Sequence, residues 1–203
     1  MKYYNSVGPN PKVVRMFMAE SGLSLETIEV DLMGGENRQA AYMEKNPTGT
    51  CPCLELDDGS ILSEITAICE YLDEKNGQSS LIGETPEERA QTRMWSRRID
   101  LGILENMANG FRYSEGLPLF KDRIYTIPHA ADDLKAITRE KIAWLDALMS
   151  GNEFVCGDRF SLADILLFCF LEFGQQVGQP FESSNKHIAS WFERIKSRPS
   201  AVA

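Results

Sequence analysis

The spacing of apolar residues changes character partway along the chain. In the first third, short alternating runs are interleaved with runs of helical period. "KYY" leads into a helix expected from Pro11, and "TIEVDL" sets Ile28, Val30 and Leu32 against Glu29 and Asp31, the period of a half-buried strand. "CLEL" and "SIL" flank Asp57-Asp58-Gly59, and an Asp-Gly between apolar runs predicts a hairpin. In "SEITAICEYLDEKNG", Ile65, Ile68, Cys69 and Leu72 fall at i, i+3, i+4 and i+7, one face of a helix that Gly77 ends. The order is β-α-β followed by β-β-α.

Past "KNGQSSLIGETPEE" the pattern is helical throughout, which places one domain at residues 1–78 and a second at 85–203. Thr85-Pro86-Glu87-Glu88 reads as a capping box with proline at the first helical position. The stretch "NGFRYSEGLP" is expected to break the first long helix from the next. A further helix carries Leu134, Ile137, Ile142, Leu145 and Leu148 and stops near Gly151. "FSLADILLFCFLEF" opens with Ser161 placed to cap and Asp164 placed to answer the N–H of the capping residue. Its nearly unbroken apolar content implies burial on all sides.

Composition narrows the function. The 203 residues are 43% hydrophobic, enough for a sizeable core. A net charge of -9 repels phosphate backbones and anionic lipid, which argues against nucleic acid and membrane surfaces as partners. The first residues lack the apolar run of a signal peptide, and the strongest apolar stretch is interrupted by Asp164 and Glu172 and is too short to span a bilayer. Five cysteines at irregular spacing do not suggest a disulfide framework, so a reducing, cytoplasmic location is expected.

The densest chemistry lies in "GTCPCLE", where Cys51 and Cys53 flank Pro52. A redox pair is one reading, although such pairs usually show Cys-x-x-Cys spacing at a helix start, and here Cys-Pro-Cys opens a strand. A metal half-site is a second, with both histidines, His129 and His187, far away in the helical half; no metal is expected. In the third reading, Pro52 starts the strand with a cis peptide bond and turns the main chain of Cys51 outward, where an extended peptide ligand can pair with it. Strand alternation sends both thiols to one face.

"NPTGTCPCLELDDGSILSEITAICEYL" resembles the core of the cytosolic glutathione transferases, "FVCGDRFSLADI" resembles the capping segment of their helical domain, and "VRMFMAESG" resembles their first helix. Together the likeness covers nearly the whole chain. It implies an α/β thioredoxin-like N-terminal domain that binds glutathione, plus an all-α C-terminal domain contributing an electrophile pocket. It also implies a cytoplasmic homodimer with a detoxification role, conjugating glutathione thiolate to small hydrophobic electrophiles. Glutathione is then a co-substrate, and no other cofactor is implied. Two alternatives stay open: a glutathione-dependent disulfide or peroxide reductase, and a non-catalytic interaction module on the same fold.

The resemblance also assigns residues. Cys51, before the cis Pro52, would bind the cysteinyl backbone of glutathione, and Glu64 matches the acid of the pair that binds the γ-glutamyl carboxylate at a helix start. Ile65 stands where that family has a hydroxyl, with Ser63 and Thr66 as neighbours able to compensate. For the thiolate donor, one alignment of the first helix brings Tyr4 to the catalytic position; another puts Gly8 there with Asn10 close by, and Ser6 is a third candidate. Asn10 before Pro11 also reads as a helix N-cap. Phe111, Arg112 and Tyr113, expected in a loop, fall where the family places its electrophile pocket.

Overall fold

The computed structural model describes residues 1–77 and 80–203. It divides into two compact units, residues 1–79 with 202–203, and residues 80–201. The expected end of the first domain, residue 78, lies outside the described residues.

The first unit is built on a four-stranded sheet, ordered β2-β1-β3-β4, from β1 (Lys2–Asn5), β2 (Glu26–Glu29), β3 (Cys53–Glu55) and β4 (Ile61–Ser63). β1 runs parallel to β2 and antiparallel to β3, and β3 runs antiparallel to β4. The parallel pair requires a crossover, supplied by α1 (Pro9–Glu20). β3 and β4 need only the Asp-Gly turn, where Gly59 has φ 83 and Leu56 N–H bonds Ser60 O at 2.8 Å. A short α2 (Ala40–Met43) precedes β3, and α3 (Ile65–Lys75) follows β4 and ends ahead of Gly77, which has φ 92.

Alternation along β1 sorts two tyrosines to opposite faces. Tyr3 is fully buried on the helix side and its hydroxyl donates to Pro11 O at 2.8 Å. Tyr4 joins Val30, Tyr42, Cys51 and Cys53 in a cluster on the α2 side. The second strand is shorter than its alternation suggests: Val30 is buried but lies past the end of β2.

The second unit contains α4 (Pro86–Ile99), α5 (Glu105–Arg112), α6 (Leu117–Phe120), α7 (Ala131–Leu148), α8 (Leu162–Gln176) and α9 (Lys186–Lys196). Between α4 and α5 the helix does not stop but widens into a π-helical segment, Asp100–Leu104, and Asn106 Nδ2 donates to the Leu101 and Gly102 carbonyls there, each at 3.0 Å. α4 starts on the expected capping box: Glu88 N–H donates to Thr85 Oγ1 at 3.2 Å, and the Glu88 carboxylate accepts from Thr85 N–H at 3.4 Å.

α8 is the centre of this unit, with every residue from Leu162 to Leu171 buried. Its first turn holds Asp164, fully buried, whose carboxylate accepts from Val155 N–H (2.9 Å), Trp191 Nε1 (2.8 Å), Ser161 N–H (2.9 Å) and Ser161 Oγ (3.0 Å). Together Ser161 and Asp164 form the expected capping box at the start of α8, with the Asp164 carboxylate accepting from Ser161 N–H as its reciprocal arm. Burial pushes the Asp164 carboxyl up to about 6 against the pull of those donated bonds. No described helix is long and apolar enough to cross a membrane.

The stretch expected to be a loop, "NGFRYSEGLP", is helical in its first half. Phe111 and Arg112 belong to α5, and Tyr113 is the residue that ends it. Gly110 does not break the helix. A Cβ there would lie 2.9 Å from Lys135 Cγ on α7, so the glycine lets the two helices approach.

Candidate functional site

The register brings three chain segments to one end of the sheet. Tyr4 pairs with Cys53 and Cys53 pairs with Ser63, so the end of β1, the start of β3 and the end of β4 lie side by side. Beyond them come Ser6–Gly8 leading into α1, Cys51-Pro52 leading into β3, and Glu64-Ile65 leading into α3.

The middle segment carries the cis Cys51–Pro52 peptide bond, as the sequence predicts. Among the described residues no hydrogen bond within the protein uses the N–H or C=O of Cys51. Its side chain points the other way, into the cluster under α2, where the Cys51 and Cys53 sulfurs lie 3.2 Å and 3.6 Å from the Tyr42 hydroxyl. Both thiols are buried, and burial pushes both pKa values up, which keeps them protonated and poor as nucleophiles. The geometry therefore speaks against a redox pair, and among the described residues it leaves the Cys51 main chain open. Among the described residues no group of histidines, cysteines and carboxylates could hold a metal ion.

The third segment is strained. Glu64, exposed, has φ 70 and ψ 118, unusual for a residue with a Cβ. It precedes α3, whose first-turn N–H groups no side chain caps. Such a helix start, with positive partial charge and open donors, suits an anion, and the N–H of Ile65 is present whatever its side chain.

The first segment revises the expected thiolate donors. Tyr4 does not face the site end: its hydroxyl reaches back along the sheet and donates to Glu55 Oε2 at 2.7 Å, with the Lys45 ammonium 5.5 Å from its ring centroid. Glu55 pairs with Lys2, two residues further from the site end than the Tyr4–Cys53 pair. Burial, then the bond to Glu55, raises the phenol pKa. Ser6 is also committed, its Oγ donating to Val30 O at 2.7 Å.

Asn10 remains, in a different place from the one expected. α1 begins at Pro9 with Gly8 (φ 106) before it, so Asn10 sits inside the first turn and is no N-cap. The helix starts early because proline suits its first position. Pro9 and Pro11 together remove two N–H donors from that turn. The Asn10 backbone N–H and side-chain amide are what the turn offers, and neither bonds elsewhere among the described residues.

Phe111, Arg112 and Tyr113 belong to the helical unit. There Phe111 packs edge-on against Phe120 (6.1 Å) and Phe173 (5.2 Å), and the Arg112 guanidinium lies 5.8 Å from the Phe120 ring centroid.

Sequence reasoning missed Asn37 and Arg38. Asn37 is buried, donates through Nδ2 to Gly49 O at 2.7 Å, and has an unpartnered Oδ1. Arg38 has a buried, unpartnered Nε, and its Nη1 lies 2.9 Å from where a Cβ on Gly49 would be. In sequence, "GENRQ" looks like a polar loop. Only the glycine two places before Cys51 hints that another chain segment must come close.

Comparison with known proteins agrees with this arrangement. Residues 7–75 match the model of the glutathione S-transferase N-terminal domain, and residues 116–199 match that of the C-terminal domain. Glutathione S-transferase 2 of Saccharomyces cerevisiae is 30% identical over 98% of this chain and 86% of its own length. The crystal structure of a glutathione S-transferase domain-containing protein from Marinobacter aquaeolei VT8 superposes with a TM-score of 0.92 at 35% identity, covering 98% of this chain and 99% of that one. A probable elongation factor 1-gamma of Arabidopsis thaliana is 33% identical over 82% of this chain, which spans 39% of that protein. With the cis-proline segment, the strained residue before α3 and the two-part fold, these similarities make one conclusion: the chain belongs to the glutathione S-transferase family.

Proposed function

We propose that the protein conjugates the thiol of glutathione to small electrophiles. One observation carries the reading: the main chain of Cys51, unpaired among the described residues, lies at the same sheet end as the starts of α1 and α3, which no side chain caps. Glutathione is an extended tripeptide with an anionic group at each end and a thiol between. In this reading the Cys51 N–H and C=O pair with its cysteinyl residue in the manner of an added strand. The N–H of Ile65 and the α3 start hold the γ-glutamyl carboxylate beside Glu64, and the Arg38 guanidinium serves the glycine end.

The thiolate is held by the Asn10 amide and the α1 N-terminus, which favour the ionised sulfur without forming a covalent enzyme intermediate. Tyr4 has no part in this, because its hydrogen is engaged by Glu55. The reading includes a cytoplasmic homodimer with a detoxification role. Met94, Leu101, Trp144 and Leu148 on the helical unit are all partly exposed apolar side chains, and Trp95 and Trp144 are in ring contact at 6.2 Å, which suits a self-association face.

The test is the ionisation of bound glutathione, followed as thiolate absorbance against pH. Asn10→Ala is expected to raise the thiol pKa by about one unit, equivalent to ~1.4 kcal/mol, with conjugation of an aryl halide slowed in proportion at neutral pH. Tyr4→Phe should leave the titration unchanged. An identical titration for wild type and Asn10→Ala would remove Asn10 from the mechanism. Replacing Cys51 and Cys53 together by Ala should keep glutathione binding within about threefold, since main-chain recognition survives any side chain; complete loss of binding in the folded double variant would restore a thiol role.

A second reading, an interaction module without catalysis, is favoured by the engagement of both hydroxyl candidates, Tyr4 and Ser6, inside the protein. Calorimetry with glutathione separates the two, because a module of that kind need not bind the tripeptide.

A further inference from the structure

The segment leading to Cys51 is held more firmly than a connecting loop requires. Asn37 Nδ2 donates to Gly49 O at 2.7 Å. The next carbonyl, that of Thr50, accepts twice, from the Tyr42 hydroxyl at 2.7 Å and from Asn46 Nδ2 at 2.9 Å. Gly49 N–H in turn donates to Asn46 O at 2.9 Å. The residue after this anchored carbonyl is Cys51, whose own main-chain groups are unpaired among the described residues.

Peptide geometry connects the two facts. The carbonyl of Thr50 and the N–H of Cys51 belong to one peptide plane, which is trans, because the cis bond is the following one. In a trans peptide the C=O and N–H point in opposite directions, so fixing one fixes the other. With Thr50 O drawn toward Tyr42 and Asn46 on the α2 side, the Cys51 N–H must point away from α2.

We propose that Tyr42 and Asn46 are positioning residues for glutathione: by holding the Thr50 carbonyl they aim the N–H of Cys51 at the cysteinyl carbonyl of the ligand. The inference rests on the glutathione reading above and deepens it. Tyr42 is suited to the task because its ring is fixed edge-on against Tyr4 at 6.4 Å and is buried, so the hydroxyl has little freedom to leave the carbonyl. Its single hydrogen goes to Thr50 O, which leaves the Cys51 and Cys53 thiols to donate weakly to the phenol oxygen.

Calorimetric titration of the full chain with two ligands, glutathione and glutathione N-methylated at the cysteinyl nitrogen, tests the idea. Methylation removes the ligand's donor to Cys51 C=O and forces the paired strands apart, and wild type should bind the methylated ligand roughly tenfold more weakly. Tyr42→Phe keeps the ring and removes the tether. It should weaken glutathione about fivefold and reduce the methylation penalty to about twofold, because an unaimed Cys51 peptide has less pairing to lose. Asn46→Asp, which keeps the shape and removes the donor, should act in the same direction.

A purely structural role would lower affinity for both ligands equally and leave the methylation penalty at its wild-type value; that result, or unchanged glutathione affinity in both variants, overturns the proposal. Failure of wild type to bind glutathione refutes the glutathione reading itself, and is seen before any variant is compared.

Discussion

Asp164→Ala is expected to cost about 3–5 kcal/mol of folding stability, measured as the shift in the denaturant midpoint at constant slope. The carboxylate receives bonds from Val155 N–H, Ser161 N–H, Ser161 Oγ and Trp191 Nε1. Truncation leaves two buried main-chain donors and an indole N–H without partners, far from water. Three parts of the helical unit meet at this group: the turn around Val155, the start of α8 and the buried Trp191 of α9. Asp164→Asn should also destabilise, because its amide nitrogen would replace one of two oxygens that each accept two bonds and would face donors.

The pH dependence of this loss has a defined sign. Burial lifts the native carboxyl to about 6, above the ordinary aspartate value of about 3.9 in the unfolded chain. Between those values the native state holds a proton that the unfolded state has released, so stability attributable to this group falls as pH rises through the window. The gap between wild type and Asp164→Asn should widen as pH is lowered from about 6 to about 4. A gap that stays constant, or narrows on acidification, would show that the four donated bonds outweigh burial.

Gly49→Ala should weaken glutathione binding about tenfold and cost about 2 kcal/mol of stability. Gly49 has φ 62, and an added Cβ would lie 2.8 Å from Met43 Sδ, 2.9 Å from Arg38 Nη1 and 3.1 Å from Asn37 O. The methionine can yield. The main-chain carbonyl of Asn37 cannot, so the chain carrying Gly49 and Thr50 must shift, and the Cys51 peptide with it. Gly59→Ala is the matched control: its φ is 83, but a Cβ there meets nothing within 4 Å. It should show the left-handed penalty alone and leave binding at the wild-type level; equal binding by Gly49→Ala would mean that the Cys51 peptide tolerates movement of the segment before it.

These residues also show how far a one-dimensional reading reaches. The Asp-Gly hairpin, the Thr85–Glu88 capping box and the continuous burial of α8 were legible because each depends on residues only a few positions apart. Cys51 and Pro52 were legible for the same reason. Tyr4 was not, since the partner of its hydroxyl, Glu55, is fixed by the pairing of β1 with β3 and lies 51 positions away. Ser6 fails likewise, being set by the approach of Val30 across the parallel pair. The helix through Phe111 was hidden by Asn109-Gly110, a dipeptide that signals a turn unless one knows that α7 passes close enough to need a glycine. Asn37 and Arg38 looked like a solvated polar run because nothing local distinguishes a buried asparagine from an exposed one.

The π-helical segment Asp100–Leu104 joins α4 to α5 without interrupting them. A wider turn of this kind absorbs one residue more than regular winding, so the residues after it keep the phase they would have on an ordinary helix one residue shorter. Deleting one residue here would restore regular winding and keep Phe111 facing Phe173, at the cost of the bond from Asn106 to the Leu101 carbonyl. The same deletion inside α5, where no wide turn absorbs it, would rotate the residues that follow by about 100°, so the bearing of the aromatic face of α5 tolerates the loss of a residue in this segment and not beyond it.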